Sequence, residues 1–388
     1  MEAYFDNSAT TRPFDEVIEY MTYVNSVVYG NPSSLHTKGI EAEKLIKKAR
    51  EAIADTIGVS SGEIYFTSGG TESNNLAIRG FLAANPRNGK HIITTKIEHP
   101  AVLEVYKHLT ENGYSADYIG VDNNGVINLQ ELADKIREDT ALISVIFVNN
   151  EVGSVQPIEE IVKIKNRINP NTAIFVDAVQ AYGKTKILPG QLGIDMMSMS
   201  SHKIHGPKGT GALYIKKQLK VKPIIFGGGQ ESLIRSGTEN VPGICGFGLA
   251  AQKISEKIEQ NLEHVKKLKQ LFIDRLAEIK DNFRIISPDN GSPYILNISF
   301  ANVKAEVLVH HLEEKGIYAS TGSACSSRKR IQSHVLEAMS IEQCDMEGSV
   351  RFSFSSLNTE EEVEYAVEAI KSILPRIQIK RGGRRVKR

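Results

Sequence analysis

Two residues carry types that conflict with their surroundings. Lys203 sits in SMSSHKIHGPKGTGALYI, after the apolar or small residues LGIDMMSMSS and before glycines broken by Pro207. An ammonium removed from water without a partner is costly, and most lysines avoid the problem by snorkelling to solvent. Asp177 closes the apolar stretch in AIFVDAVQAYG, where an ionised carboxylate needs a cation or several donors. A loop carboxylate that merely caps a helix is the common alternative. Lys203 follows Asp177 by 26 residues. A pyridine nitrogen kept protonated by the aspartate, with the ring's aldehyde on the lysine amine, accounts for both residues together.

A third motif supplies a place for an anion. In IYFTSGGTESNNLAIRG a strand runs into Ser68, Gly69, Gly70 and Thr71 and then a helix, so backbone N–H groups and a hydroxyl converge where the helix dipole favours negative charge. Taken alone, the motif reads equally well as a glycine turn with a Ser/Thr cap. Nucleotide motifs fit poorly: AVQAYGKT has Ala178 where a Walker A loop begins with glycine, and no G-x-G-x-x-G follows a strand. The phosphate is therefore not expected to belong to a nucleotide.

The elements that must position these residues repeat from about Glu63 to Gly211 as a short apolar run, a turn and an amphipathic stretch, the rhythm of parallel strands with crossover helices. Candidate strands are EIYFTS, HIITTK, SADYIGV, ALISVIFV, AIFVDA, IDMMSMS and GALYIK. The last two lie too close in sequence to enclose a helix, so the sheet is predicted to be mixed. Apolar residues at three- and four-residue steps predict one long helix over Gly248 to Asn282. Beyond it, YILNISF, AEVLVHHLEEKG, IYAST, SHVLEAMS, SVRFSFS and a last helix opened by Thr359 and Glu362 in capping-box spacing describe a smaller α+β unit. The expected division is 15–260 for a large cofactor-binding domain, 1–14 with 261–375 for a small domain, and 376–388 for a basic, disordered tail.

Composition sets the limits. The 388 residues, 41% hydrophobic and without a long apolar run, predict a soluble protein with no membrane partner and a cytoplasmic location. Cys245, Cys325 and Cys344 are widely spaced, which argues against a disulfide framework or a thiolate metal site. The tail KRGGRRVKR holds six basic groups, leaving the rest of the chain with 41 basic against 46 acidic residues, a balance of −5. Contact with nucleic acid is expected only through that tail.

From about Tyr4 to Ile373 the ordered set YFDNSATT, GNPSSLH, FTSGGTESNN, EHPAVL, VNNEVGSVQPI, VDAVQAYGK, SSHKIHGPKGTG, GGGQESLIRSGTENVPG and STGSACSS resembles the cysteine desulfurases, pyridoxal 5'-phosphate (PLP) enzymes of the aminotransferase class V group with the type I fold. The resemblance implies a large domain built on a mostly parallel seven-stranded sheet and a smaller α+β domain. It implies that Lys203 holds the cofactor and moves protons, that Asp177 pairs with the ring nitrogen, that His99 stacks on the ring and assists proton transfer, and that Gln180 bonds the phenolic oxygen. Gly70, Thr71, Ser200 and His202 would hold the phosphate, with Thr238 arriving from the neighbouring subunit of a homodimer. Arg351 would grip the carboxylate of L-cysteine beside Asn31, with Asn150 orienting the bound amino acid.

Residue by residue, blander roles exist: Arg351 as an ion-pair partner of the acidic last helix, His99 as a helix cap, Cys245 as a small buried hydrophobe. Cys325 differs, because its loop of small polar residues is followed by three basic ones, a setting that favours thiolate. The resemblance makes Cys325 the nucleophile that takes sulfur from cysteine as a persulfide, releases alanine, and passes sulfur to an acceptor, either an iron–sulfur scaffold or a tRNA-thiolation enzyme. Gly316 and Gly322 are candidate hinges. Two other readings stand beside this one: a selenocysteine or cysteine-sulfinate lyase of the same fold, and a degenerate fold kept as a binding platform for a sulfur-transfer partner.

Overall fold

The computed structural model describes residues 1–279, 282–321 and 332–378. Thirteen strands are numbered in chain order: β1 (Ala3–Tyr4), β2 (Ile64–Thr67), β3 (His91–Thr95), β4 (Ser115–Ile119), β5 (Thr140–Ile146), β6 (Ala173–Asp177), β7 (Met196–Ser200), β8 (Gly211–Ile215), β9 (Phe283–Ile285), β10 (Ile295–Phe300), β11 (Ile317–Tyr318), β12 (Ser320–Thr321) and β13 (Ser349–Ser353). Strands β2 to β8 build one seven-stranded sheet in the order β2-β8-β7-β6-β5-β3-β4. Within it β8 alone is reversed, pairing antiparallel with both β2 and β7. The predicted mixed sheet is thus present, and all seven predicted strands belong to it. Strands β3, β5, β6, β7 and β8 are buried along their whole length, as apolar runs covered on both faces must be.

A second sheet, β12-β13-β10-β9, carries the smaller unit. Phe272, Phe352 and Phe354 pack around Phe5 beneath it, with ring centroids 5.5–6.5 Å from that of Phe5. The chain's first residues belong to this unit too: β1 pairs in parallel with β11, and Asp6 bridges to Ser353.

Two predicted elements need correction. The single helix over Gly248 to Asn282 is two, Val241–Ser255 and Ile258–Leu276, separated where Lys257 leaves helical geometry at φ −128°, ψ 17°. The first packs on the helices Asp15–Val27 and Thr37–Ile57, the second on Glu360–Ile377, so the chain must change direction between them. Ile254 and Ile258 keep the apolar step across the break, which hides it from periodicity. The stretch IYAST is likewise not one strand: β11 joins β1 while β12 joins β13 in the other sheet. Thr359 and Glu362 form the reciprocal capping box expected of them.

Close packing explains one glycine outright. A Cβ on Gly248 would lie 2.7 Å from both the Cα and the Cβ of Ala49, so glycine lets the Val241–Ser255 helix meet Thr37–Ile57 backbone to side chain.

Candidate active site

In an open parallel sheet, helix dipoles and unpaired backbone groups gather at the carboxyl ends of the strands. The predicted site residues gather there. Thr67 ends β2 and leads to Gly70; Thr95 ends β3 and leads to His99; Ile146 ends β5 and leads to Asn150; Asp177 and Ser200 end β6 and β7. Because β8 runs the other way, its first residue, Gly211, lies at the same edge, opposite Thr67 and Ser200. A Cβ on Gly211 would stand 2.6 Å from the Cα of Gly69, and Gly69 itself has φ 149°, a conformation that L side chains rarely adopt. These two glycines let the turn before the Gly70–Asn75 helix lie against the sheet.

The carboxylate of Asp177 is almost fully buried and accepts one hydrogen bond per oxygen, from Asn74 Nδ2 at 2.8 Å and from the backbone N–H of Val179 at 3.0 Å. Both donors are neutral, so each oxygen keeps a lone pair for a cation. Lys203, in a turn just beyond β7, donates to the carbonyls of Ser8 and Ala9, the latter at 2.9 Å. The lysine head is thereby drawn inward to the amino-terminal segment rather than out to water. Gln180 donates from Nε2 to the same Ser8 carbonyl at 2.8 Å.

His99 caps the Pro100–Glu111 helix, its Nδ1 accepting from Ala101 N–H at 3.1 Å, so the cap and the candidate site residue are one. Burial lowers its pKa, with Lys203 and His334 adding to the effect against the pull of Asp177. A neutral ring whose Nδ1 accepts carries its proton on Nε2. His202 is also held neutral, its pKa pushed down to about 4 by burial and then by Lys203, Lys208 and Lys184. Its Nδ1 lies 3.1 Å from Thr10 Oγ1.

Arg351 reaches the site from β13. It is buried, donates from Nη2 to Asp6 Oδ1 at 2.8 Å and from Nη1 to the carbonyl of Asn150 at 3.0 Å, while its buried Nε has no hydrogen-bond partner among the described residues. Its partner is Asp6 and not the acidic last helix. The pairing leaves guanidinium capacity for an incoming carboxylate, which can exchange with Asp6 in the two-pronged geometry arginine favours.

These residues suit PLP. Ser200 Oγ is buried at the end of β7 without a hydrogen-bond partner among the described residues, a donor prepared for a ligand oxygen. Gly70 and Thr71 open a helix, Thr71 exposed and Gly70 half-buried, and a Cβ at Gly70 would stand 2.7 Å from Val179 Cγ2. Asp177, placed between neutral donors, matches a protonated ring nitrogen better than any neutral group.

Not every predicted residue joins this cluster. Asn31 is exposed and its Oδ1 accepts from the N–H of Ser33, a local turn. Thr238 is exposed. Cys325 and Gly322 lie outside the described residues. Cys245 is buried with its thiol pKa pushed up to about 12, as a small hydrophobe should be.

Other participants escaped sequence reasoning. Asn74 sits in FTSGGTESNN but has no unusual type to mark it. Glu98, beside His99, is fully buried; Oε1 accepts from Thr95 Oγ1 at 2.6 Å and Ile146 N–H at 2.9 Å, and burial pushes its pKa up to about 8. Glu151 is buried likewise, its pKa raised by burial, and Ser333 Oγ donates to its Oε2 at 2.5 Å.

Comparison with known proteins agrees with this geometry. Residues 3–366 match the family Aminotransferase class-V. The chain is 40% identical over 376 residues to cysteine desulfurase IscS 1 of Archaeoglobus fulgidus, covering 97% of each protein. It is 43% identical over 377 residues to cysteine desulfurase IscS of Methanosarcina thermophila, covering 97% of this chain and 92% of that one. Among solved structures, a NifS-like protein superposes with a TM-score of 0.91 at 42% identity, covering 97% of this chain and all (100%) of the other. A structure described as SspA in complex with cysteine gives a TM-score of 0.81 at 35% identity over 92% of this chain and 100% of that one.

Proposed function

The chain belongs to the aminotransferase class-V family and, within it, to the cysteine desulfurases, PLP-dependent enzymes, and we propose on that footing the residue roles and partners of its reaction. L-Cysteine is converted to L-alanine: the carbon–sulfur bond breaks, the sulfur becomes the outer atom of a persulfide on Cys325, and the electron pair stays with the carbon skeleton, which takes up a proton. The single observation that carries the assignment of roles is the convergence of Lys203, Asp177 and Arg351 at one end of the large sheet, although they come from the turn after β7, from β6 and from β13 of the separate sheet.

When bound, PLP supplies an electron sink for the bond-breaking at the substrate. Asp177 keeps the ring nitrogen protonated, and Asn74 and the Val179 N–H hold the carboxylate in place. Lys203, already directed inward by the Ser8 and Ala9 carbonyls, is the covalent anchor and then the group that carries protons between substrate and cofactor positions. His99 offers Nε2–H to the ring side. The N-terminal groups of the Gly70–Asn75 helix, with Ser200 and His202, bind the phosphate. Arg351 binds the substrate carboxylate, with Asn150 fixing it from its backbone carbonyl. One structural relative of this chain is described with cysteine bound, which supports cysteine as the substrate here.

The working unit is a homodimer. Thr238 is exposed, and the segment leading to it exposes Phe226 and Leu233. Tyr29 and Leu35 are exposed on the loop beside that segment, and the two stretches line a common groove at Pro32, Ser33, Ser232 and Glu239. Exposed large apolar side chains in contiguous stretches mark a surface that a partner covers, and a second copy would also bring Thr238 to the phosphate. The sulfur acceptor is an iron–sulfur scaffold or a tRNA-thiolation enzyme, and the location is cytoplasmic. Among the described residues no helix is long and apolar enough to cross a membrane.

Borohydride reduction of freshly isolated protein followed by peptide mapping should recover a pyridoxyl group on Lys203; its recovery elsewhere would overturn the site. Cys325→Ser should abolish transfer of sulfur from L-cysteine to the protein. Undiminished alanine formation in that variant would favour a lyase that needs no thiol.

A further inference from the structure

Lys184 is a buried lysine that the reaction as described does not use. It lies in the turn after β6, where Gly183, at φ 73°, packs so tightly on Ile204 that a Cβ would stand 2.7 Å from Ile204 Cγ2. The turn folds Lys184 back beneath Gln180, and Nζ donates to Gln180 Oε1 at 3.0 Å. The other end of that amide, Nε2, donates to the Ser8 carbonyl, which Lys203 also uses. A continuous chain therefore runs from Lys184 through the Gln180 amide and one carbonyl to Lys203.

The polarity of this chain has a physical consequence. Turning the amide over would set Nε2 against an ammonium and Oε1 against a carbonyl, losing two hydrogen bonds, one of them charge-assisted. We propose that Lys184 is a positioning residue for the desulfurase reaction: by donating to Gln180 Oε1 it holds the amide so that Nε2, a donor, is the end presented to the phenolic oxygen of the cofactor. The proposal rests on the role given to Gln180 above.

The surroundings are consistent with a residue kept for this purpose. The charged groups facing Lys184 are Lys203 and Arg351, both positive, and its Nζ stands 5.6 Å from the ring centroid of Tyr294. Burial, with those two cations, pushes its pKa down to about 7. A lysine placed for stability alone gains little there, since a buried ammonium without a carboxylate is unfavourable and an apolar side chain of similar length would fit as well. What Met could not do is hold the Gln180 oxygen.

The test uses the cofactor-loaded protein and reads the pH at which the bound cofactor's visible absorption titrates. A donor on the phenolic oxygen stabilises its negative charge and favours the deprotonated linkage, so losing the donor moves the titration to higher pH. Gln180→Leu and Lys184→Met should each raise the midpoint by about one pH unit. In the double variant Lys184→Met should add less than half of its single-variant shift, because its effect passes through Gln180. A Lys184→Met midpoint equal to that of the unaltered protein would overturn the proposal. So would retention of half or more of the shift in the Gln180→Leu background, which would make Lys184 a through-space charge only. If Gln180→Leu itself leaves the midpoint unchanged, the proposal falls together with the role of Gln180, while borohydride fixation at Lys203 reports separately on the site. Should Lys184→Met fail to fold, Lys184→Leu, likewise uncharged and without a donor, permits the same comparison.

Discussion

The side chains proposed to act in the reaction divide by how visibly their type conflicts with their place. Lys203, Asp177 and Arg351 are charged residues in or beside apolar strands, and a charge there demands a partner whatever the fold. Replacing Lys203 with Ala should lower cysteine turnover by at least about 10²–10⁴, the range for loss of one general acid–base group; turnover of L-cysteine measured with saturating cofactor checks it. Arg351→Ala should raise KM for cysteine by about 10–100-fold, the worth of a charge-assisted hydrogen bond pair, and an unchanged KM would reassign the arginine. Glu98 gives a prediction about pH. Its folded-state pKa, about 8, lies above its ordinary value of 4.5, so the folded state holds a proton that the unfolded state has lost between those values. Stability from this group is present below pH 4.5 and falls as pH rises toward 8. Glu98→Gln keeps the acceptor for Ile146 and removes the titration, so its Tm should gain on that of the unaltered protein from pH 5 to pH 8. A gap independent of pH would show that Glu98 does not titrate in that range. Glu98, Asn74 and Lys184 were not legible in the sequence for a common reason. Each matters through what folding places beside it, and none breaks a local pattern.

Elements were legible where one period governs them. The seven strands of the large sheet are short apolar runs between turns, and the Thr359 capping box is a local signal with a local cause. The break at Lys257 was not legible, because Ile254 and Ile258 satisfy the helical period on both sides of it. What breaks the helix is the need to pack against two different groups of helices, a tertiary demand. The close approach at Gly248 is another such demand, and it predicts that Gly248→Ala, helix-favouring in isolation, will lower Tm. A methyl group 2.7 Å from the Ala49 backbone overpacks the contact, and overpacking costs about 1–3 kcal/mol. A melting temperature equal to or above that of the unaltered protein would mean the helices can separate without loss.

At the scale of the molecule the body and tail carry opposite charge, −5 against +6 by sequence. Removing residues 379–388 should leave cysteine turnover unchanged while weakening sulfur transfer to an acidic or RNA-bound partner; equal transfer with and without them would remove the tail from that role. Phe226→Asp should yield a monomer by analytical ultracentrifugation and lower cofactor retention, since it places a charge on the surface assigned to the second copy; an intact, fully loaded dimer would contradict that surface. The segment from Ala3 to Thr11 reaches further than either. It pairs with β11 and with Ser353 near the far end of the chain, and then offers the carbonyls that Lys203 uses. During synthesis, therefore, residues 3–11 must wait for β13 before they can settle. A nascent polypeptide stalled before residue 349 has no β13 to receive them, so the carbonyls that hold Lys203 are not yet in place for the vitamin.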